Sequence, residues 1–490
     1  MLRTSIRTLA LLLALGLLLY GFISGVVASA TGPADSLDPP NDNVWLLCLA
    51  AAFPLLLLYA WLPNLDPSAA TRRATVDARF RHNVEQLGGF LLVGFTLISL
   101  HLLREQIVAA SSIKGATVQT SSGAIIQDPR KVPEQLQVRR GSILAGDRVV
   151  AASEVITPSR FVHRIYPEPN LSYLAGYYNP TIYGSAGLEG YPSFDNYLSG
   201  SEALDPILKQ QRSILHRPVV GNDLHLTIDP ALQDAAQNAL GERKGAVVVL
   251  DAQTGAILAM ASYPHIDPQQ MSFNPDLDWG EENKRIVSYY ESVLNDPSNP
   301  LIMRATQGLY PPGSTFKTVT TAAAIDTNAA QPLSVFTDTN GKLKVEAGNY
   351  VHVDCSTCRP ANHGPNFTLV EGYKWSLNVV FAELGITLGQ NRTVEYARRF
   401  GFGTRFDIGV PVEASRLASD LDLLQGKNLL AATAYGQGEV QATPLQMALV
   451  AATIAHGGDV PAPYLVASVT DHETGKPLWQ YQPHNLQRAV

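Results

Sequence analysis

The stretch Tyr310-Pro-Pro-Gly-Ser314-Thr-Phe-Lys317, followed by Thr-Val-Thr-Thr-Ala-Ala-Ala-Ile325, changes character within one turn. Pro311, Pro312 and Gly313 block a helix ahead of Ser314, and the Ala-rich run behind it favours one. Ser314 is therefore expected at a helix start, with Lys317 one turn later on the same face. That spacing suits nucleophilic catalysis. A serine hydroxyl needs a base within hydrogen-bond reach, and a lysine amine serves when burial or cationic neighbours lower its pKa. A helix N-terminus would add positive potential and free N–H groups for a developing oxyanion. The pattern alone is common. Ser111-Ser-Ile-Lys114 repeats it without the breaker-then-helix context, and an N-cap serine beside a solvated lysine would read the same way.

Ser376-Leu-Asn378 narrows the reading, because it lies downstream of Ser314, whereas Ser272-Phe-Asn274 has the same pattern but precedes it. An S-x-x-K serine followed by S-x-N is the motif pair of penicillin-binding proteins and class A β-lactamases. Further matches lie on both sides. They include Arg140-Gly141-Ser-Ile143, Gly187-Leu-Glu189, Tyr197-Leu-Ser-Gly200, Leu226-Thr-Ile-Asp229, the two runs Gly245–Asp251 and Thr254–Ser262, His363-Gly364, Tyr435-Gly-Gln-Gly438 and Ala442-Thr-Pro-Leu-Gln-Met447. With these residues the chain resembles a class B penicillin-binding protein of the actinobacterial cell-division type, over roughly residues 87–490.

A hairpin and a helical block without alternating βα units point to an α+β fold. The resemblance implies a penicillin-binding, β-lactamase-like serine transpeptidase domain on a β-rich pedestal. It does not cover the first 85 residues, where N-terminal transmembrane helices are read from the apolar stretches and one anchor, matching the third, is usual in the family. It implies Ser314 as the acylated nucleophile, Lys317 as its general base, Ser376 as a relay to the leaving amine, and Asn378 as a hydrogen-bonding partner of the donor peptide. The implied reaction attacks a D-Ala–D-Ala stem peptide, releases D-Ala and passes the acyl group to a neighbouring stem amine. Neither a metal nor a cofactor is expected. The implied partners are peptidoglycan stem peptides, β-lactams and a membrane glycosyltransferase, in division or elongation of the cell wall.

One element of the family set, Lys-Thr-Gly, is not found in these 490 residues. Glu473-Thr-Gly475-Lys476 reads as a turn between strands, and His456-Gly-Gly458 as the end of the helix after Met447. The family carries Lys-Thr-Gly on a strand bordering the cleft, so the sheet is expected to be incomplete and the sequence to stop short of that strand. On this reading the 490-residue chain labels weakly or not at all with a fluorescent penicillin, and a chain extended to a downstream Lys-Thr-Gly labels. A non-catalytic scaffold in cell-wall synthesis is the alternative, and a hydrolytic β-lactamase or carboxypeptidase a weaker third.

Outside the motifs, the first hundred residues are the most informative. Thr8–Ala28, Val44–Pro63 and Gln86–Leu103 are apolar, and about 20 residues suffice to cross a bilayer. Asp35, Asp38 and Asp42 lie between the first two; Arg72, Arg73, Arg79 and Arg81 lie between the second and third. Basic loops stay cytoplasmic, so the N-terminus and 64–85 are placed inside, and 31–43 and everything after Leu103 outside. Ala28-Ser-Ala30 also fits a signal-cleavage pattern, which would remove one span. Buried core helices are the bland alternative. The expected division is a membrane region over 1–103, a pedestal over 104–222 and a transpeptidase domain over 223–490.

Composition excludes several classes. A net charge of −7 with no basic block speaks against nucleic acid. Three cysteines are too few for a disulfide scaffold, and the 38 Gly and 32 Pro have no period. His352-Val-Asp-Cys355-Ser-Thr-Cys358, with His363 beyond it, has spacing that would suit zinc. An outside location would favour a Cys355–Cys358 disulfide, and two independent cysteines is the third reading. Cys48 reads as a small apolar residue within a span. Locally, Leu224–Ile228 alternates like a strand, Asp229 should cap a helix opening at Pro230, and Gly245–Ser262 should form a hairpin.

Overall fold

The computed structural model describes residues 2–31, 42–61, 76–107, 118–119, 125–126, 132–200, 220–338, 342–346, 349–352 and 363–490. They fall into two compact units, Met1–Asp128 and Pro129–Val490. The Ser111–Lys114 copy, Asp35, Asp38, Arg72, Arg73, Cys355 and Cys358 lie outside the described residues.

In the first unit the described residues of the three apolar stretches are helical: α1 (Leu2–Thr31), α2 (Asp42–Trp61) and α3 (Val76–Ile107). Two runs, Ser5–Ser24 and Leu87–Arg104, are long and apolar enough to cross a membrane. The apolar run in α2, Asn43–Tyr59, is shorter than the expected 44–63 span and contains Pro54. The helices pack through a narrow seam of Ala14, Leu18, Trp45, Ala52, Leu56 and Val93. At Gly21 an added Cβ would lie 3.0 Å from the Trp45 ring and 3.1 Å from Cys48, so glycine sets how closely α1 approaches α2. Trp45 Nε1 donates to His101 Nδ1 at 3.2 Å, joining α2 to α3. The other faces expose Leu9, Leu12, Leu19, Leu91, Leu92 and Phe95.

The second unit opens with β1 (Ile143–Ala145), β2 (Arg148–Val155) and β3 (Val162–Ile165). Next come β4 (Asp223–Leu226) and α4 (Pro230–Leu240), then the antiparallel hairpin of β5 (Gly245–Leu250) and β6 (Ile257–Tyr263). The helical block comprises α5 (Trp279–Leu294), α6 (Lys317–Asp326), α7 (Leu369–Lys374), α8 (Asn378–Arg399), α9 (Lys427–Ala434) and α10 (Pro444–Ala455). Four strands close the unit: β7 (Asp459–Pro461), β8 (Val466–Thr470), β9 (Pro477–Gln480) and β10 (Asn485–Arg488).

Local chemistry explains most boundaries. Asp229 accepts from Ala231 N at 2.8 Å and Leu232 N at 3.0 Å, with Pro230 at the first helical position of α4. Thr368 and Glu371 form a reciprocal capping box on α7. Ala236 and Leu240 of α4 pack on Ala259 and Ala261 of β6. Ile257 and Met260 join the main core with Leu445 and Leu449 of α10.

One sheet crosses the expected division at 222/223. Its order is β9-β8-β4-β1-β2-β3, with β1 and β4 parallel (Ile143 opposite Leu224) and β8 antiparallel to β4 (Val466 opposite Leu226). Strands from 143–165, 223–226 and 466–480 thus share one ladder, and Pro129–Val490 forms one unit. Beneath it, Arg140 and Arg164 clamp the fully buried Glu189 at 2.9 and 2.6 Å, and Arg140 also reaches Asp195 at 2.8 Å. Burial alone would raise the Glu189 carboxyl, but Arg164 and Arg140 hold it below the usual carboxylate range.

Candidate active site

Ser314 lies in a 3-10 turn, Gly313–Phe316, that runs directly into α6, rather than in the α-helix itself. Gly313 adopts φ 57°, and its N–H donates to Gly436 O at 2.8 Å. Phe316 is fully buried and meets Phe402 edge-on at 5.4 Å. With Phe316 and Val319 anchored in the core, Lys317 is drawn in with them to 1% exposure while Ser314 stays exposed. An N-cap serine with a solvated lysine is therefore not what the turn presents.

Ser376 occupies the joint between α7 and α8. Its N–H donates to Tyr373 O at 3.1 Å, and its backbone is left-handed at φ 56°, a conformation that costs a non-glycine residue about 1–3 kcal/mol. Leu377, fully buried, pins the joint, and Asn378 opens α8. The two motifs meet at the Lys317 amine. Nζ lies 3.1 Å from Ser314 Oγ, 2.9 Å from Ser376 Oγ, 2.8 Å from Ser376 O and 2.7 Å from Asn378 Oδ1. The two serine hydroxyls are 2.9 Å apart. The Phe381 ring lies 5.2 Å from Nζ.

Four partners exceed the three donors of an ammonium. Ser376 O and Asn378 Oδ1 only accept, so each takes one N–H. The remaining valence faces two hydroxyls, which both donate and accept. A neutral amine keeps its two N–H bonds to the obligate acceptors and turns its lone pair toward the hydroxyls. Burial drives the lysine toward that state, lowering its pKa from 10.5 to about 8.

The cleft in front of Ser314 has a volume of about 410 Å³ and is lined by Lys317, Thr318, Tyr373 and Ser376, with Met447 and Val450 of α10 opposite. Thr318 Oγ1 and the Tyr373 hydroxyl are 2.8 Å apart across its edge. Both residues went unmarked in the sequence; Tyr373 stands three positions before Ser376, a spacing that signals only once α7 is known to be a helix. Gly436 belongs to a matched motif, yet its role emerges only in three dimensions. At φ 79° it backs onto the serine turn, and an added Cβ would lie 1.9 Å from Gly313 O. His363 is engaged elsewhere, stacked on Phe367 at 4.4 Å with Nε2 3.3 Å from Glu371. Among the described residues no group of three or more His, Cys, Asp or Glu side chains is arranged to hold a metal.

Comparison with known proteins places this geometry. The penicillin binding protein transpeptidase domain matches residues 245–489. The peptidoglycan D,D-transpeptidase PbpA of Mycolicibacterium smegmatis is 33% identical over 352 residues, covering 70% of this chain and 68% of its own. The peptidoglycan D,D-transpeptidase MrdA of Escherichia coli is 28% identical, over 64% of this chain and 48% of its own. Penicillin-binding protein A from M. tuberculosis, solved as an imipenem acyl-enzyme complex, superposes with a TM-score of 0.64 at 29% identity, covering 73% of this chain and 80% of that one. The chain belongs to the penicillin-binding protein transpeptidase family, as a member of class B.

Proposed function

We propose that the protein is a peptidoglycan D,D-transpeptidase acting through Ser314. The single observation carrying this reading is the Lys317 amine, buried and within 3.1 Å of both motif serines. Ser314 Oγ attacks the carbonyl carbon of the penultimate D-Ala as Lys317 takes its proton. The tetrahedral intermediate collapses when the amide C–N bond breaks. The proton passes from Lys317 through Ser376 to the leaving amine, and D-Ala departs. The amine of a second stem peptide then attacks the ester, returns a proton along the same path and frees Ser314 Oγ–H. Asn378, fixed to Lys317 at 2.7 Å by its carbonyl, keeps its NH₂ for the donor peptide backbone. A scaffold alone would place no demand on a lysine buried to this degree.

Residues 1–103 anchor the protein in the membrane, with the catalytic unit outside. The exposed leucine faces of α1 and α3 and the distribution of Asp and Arg between the apolar stretches support this. Residues 104–222 serve as the pedestal, continuous with the transpeptidase part through the shared sheet rather than a separate domain. Labelling of the protein in its own membranes with a fluorescent penicillin tests the reading. A weak band or none is expected from these 490 residues and a strong one from a chain extended to a downstream Lys-Thr-Gly, lost in Ser314→Ala. Labelling that survives the substitution would reject Ser314 as nucleophile.

A further inference from the structure

The left-handed joint at Ser376 hangs from the last turn of α7. Trp375, Ser376 and Leu377 donate their N–H groups to the carbonyls of Glu371, Tyr373 and Gly372 at 2.9, 3.1 and 2.9 Å. Where that turn stands relative to α6 therefore decides where Ser376 Oγ stands relative to Ser314. With six residues, α7 is too short to hold its own place and depends on its neighbours. Gly372 lies flat against Val380, where an added Cβ would come within 2.8 Å, so the turn is seated on α8. Toward α6 the described residues of α7 make one side-chain hydrogen bond, between the Tyr373 hydroxyl and Thr318 Oγ1 at 2.8 Å. Thr318 directly follows Lys317, and the Tyr373 carbonyl is the one that receives the Ser376 N–H. The Tyr373 ring is tilted 58° against Phe381 with centroids 6.2 Å apart, and the Lys317 amine lies over that same Phe381 ring.

We propose that Thr318 and Tyr373 are positioning residues for acyl transfer, a strap between α6 and α7 that keeps the Ser376 hydroxyl and carbonyl on the Lys317 amine. Neither side chain exchanges a proton with the reacting atoms. With the strap cut, the strained joint relaxes, Ser376 draws away and water reaches the amine. The proposal deepens the transpeptidase reading and rests on it for the relay through Ser376; the tie itself rests on geometry.

Burial lowers the Lys317 pKa to about 8, so its titration reports how closely that wall is held and needs no turnover. In the detergent-solubilised 490-residue chain, the 13Cε resonance of Lys317, assigned by its loss in Lys317→Met, gives the midpoint by NMR. Thr318→Val and Tyr373→Phe should each raise it by about half a pH unit or more, as water returns to the ammonium. Thr318→Ser keeps the hydroxyl and should restore it, and the double variant should move no further than either single one. Unchanged midpoints, or shifts that add in the double variant, overturn the proposal. In a chain extended to a downstream Lys-Thr-Gly, the rate constant for acylation by a β-lactam should fall about three- to tenfold in the same two variants, with the preceding dissociation constant unchanged. A loss confined to the dissociation constant would make the pair substrate contacts and overturn the strap. An extended wild-type chain that does not acylate at all would reject the transpeptidase reading, while the titration still decides the strap.

Discussion

At the scale of the residue, the pH dependence of acylation follows from the Lys317 amine. Its folded-state pKa of about 8 lies below the 10.5 of an exposed lysine, so burial penalises the charged form. Near pH 7 only about a tenth of the protein carries the free amine that can accept the serine proton. The rate of β-lactam acylation is expected to rise close to tenfold per pH unit up to about 8 and then level off. A profile flat from pH 6 to 9 would remove Lys317 as the base. Linkage runs in the same direction. Between about 8 and 10.5 the unfolded chain binds the extra proton, so stability gains with rising pH through that window. Lys317→Arg keeps the charge but cannot deprotonate, and its acylation should fall to the Ser314→Ala background in the same labelling assay. The Ser314–Lys317 relation is legible in the sequence because one helical turn connects them. The approach of Ser376 and Asn378 is not a local property; it needs the left-handed joint at Ser376, which no propensity marks.

At the scale of the element, the turn after α9 buttresses the nucleophile. Gly436→Ala would bring a methyl group into the Gly313 carbonyl and impose a side chain at φ 79°. The Ser314 turn must then shift, and a displacement of about 1 Å can cost on the order of 10²-fold in rate. Second-order labelling rates should show that loss while circular dichroism stays unchanged; full activity would mean the turn tolerates the shift. The Arg140–Glu189–Arg164 cluster acts on stability instead. Glu189→Gln strands Arg164 with only carbonyl and hydroxyl partners in the interior, a loss of about 3–5 kcal/mol in urea unfolding of the detergent-solubilised chain. Because the Glu189 pKa is depressed, its contribution is present above the ordinary carboxylate range and fades as pH falls through the folded value. Helices and the β5–β6 hairpin were readable from caps, breakers and period. The six-stranded sheet was not, since β1, β4 and β8 are short and widely separated, and strand partners are chosen by burial rather than by local pattern.

At the scale of the whole molecule, the proposed orientation makes a direct forecast. Protease added to wall-stripped cells should digest the protein beyond Leu103 and spare a short N-terminal fragment; complete protection would reverse the topology. The exposed aliphatic faces of α1 and α3 support the proposed anchor, in which lipid would be their cover. The division of labour along the chain was legible as texture, apolar at one end and motif-bearing at the other. Its exact seams were not, because the sheet joining the middle to the far end ignores the order of the sequence.

That shared sheet carries a temporal meaning. His225 on β4 meets Thr470 on β8 across 3.0 Å, though the two stand 245 positions apart. In the proposed orientation the chain would emerge in order, and β4 would wait with a bare edge while the helical block was delivered. Long-range pairing of this kind is slow and leaves hydrogen-bonding groups open to wrong partners. In that orientation the interval between the exit of β4 and the arrival of β8 is the one in which an unpaired strand edge would stand open longest.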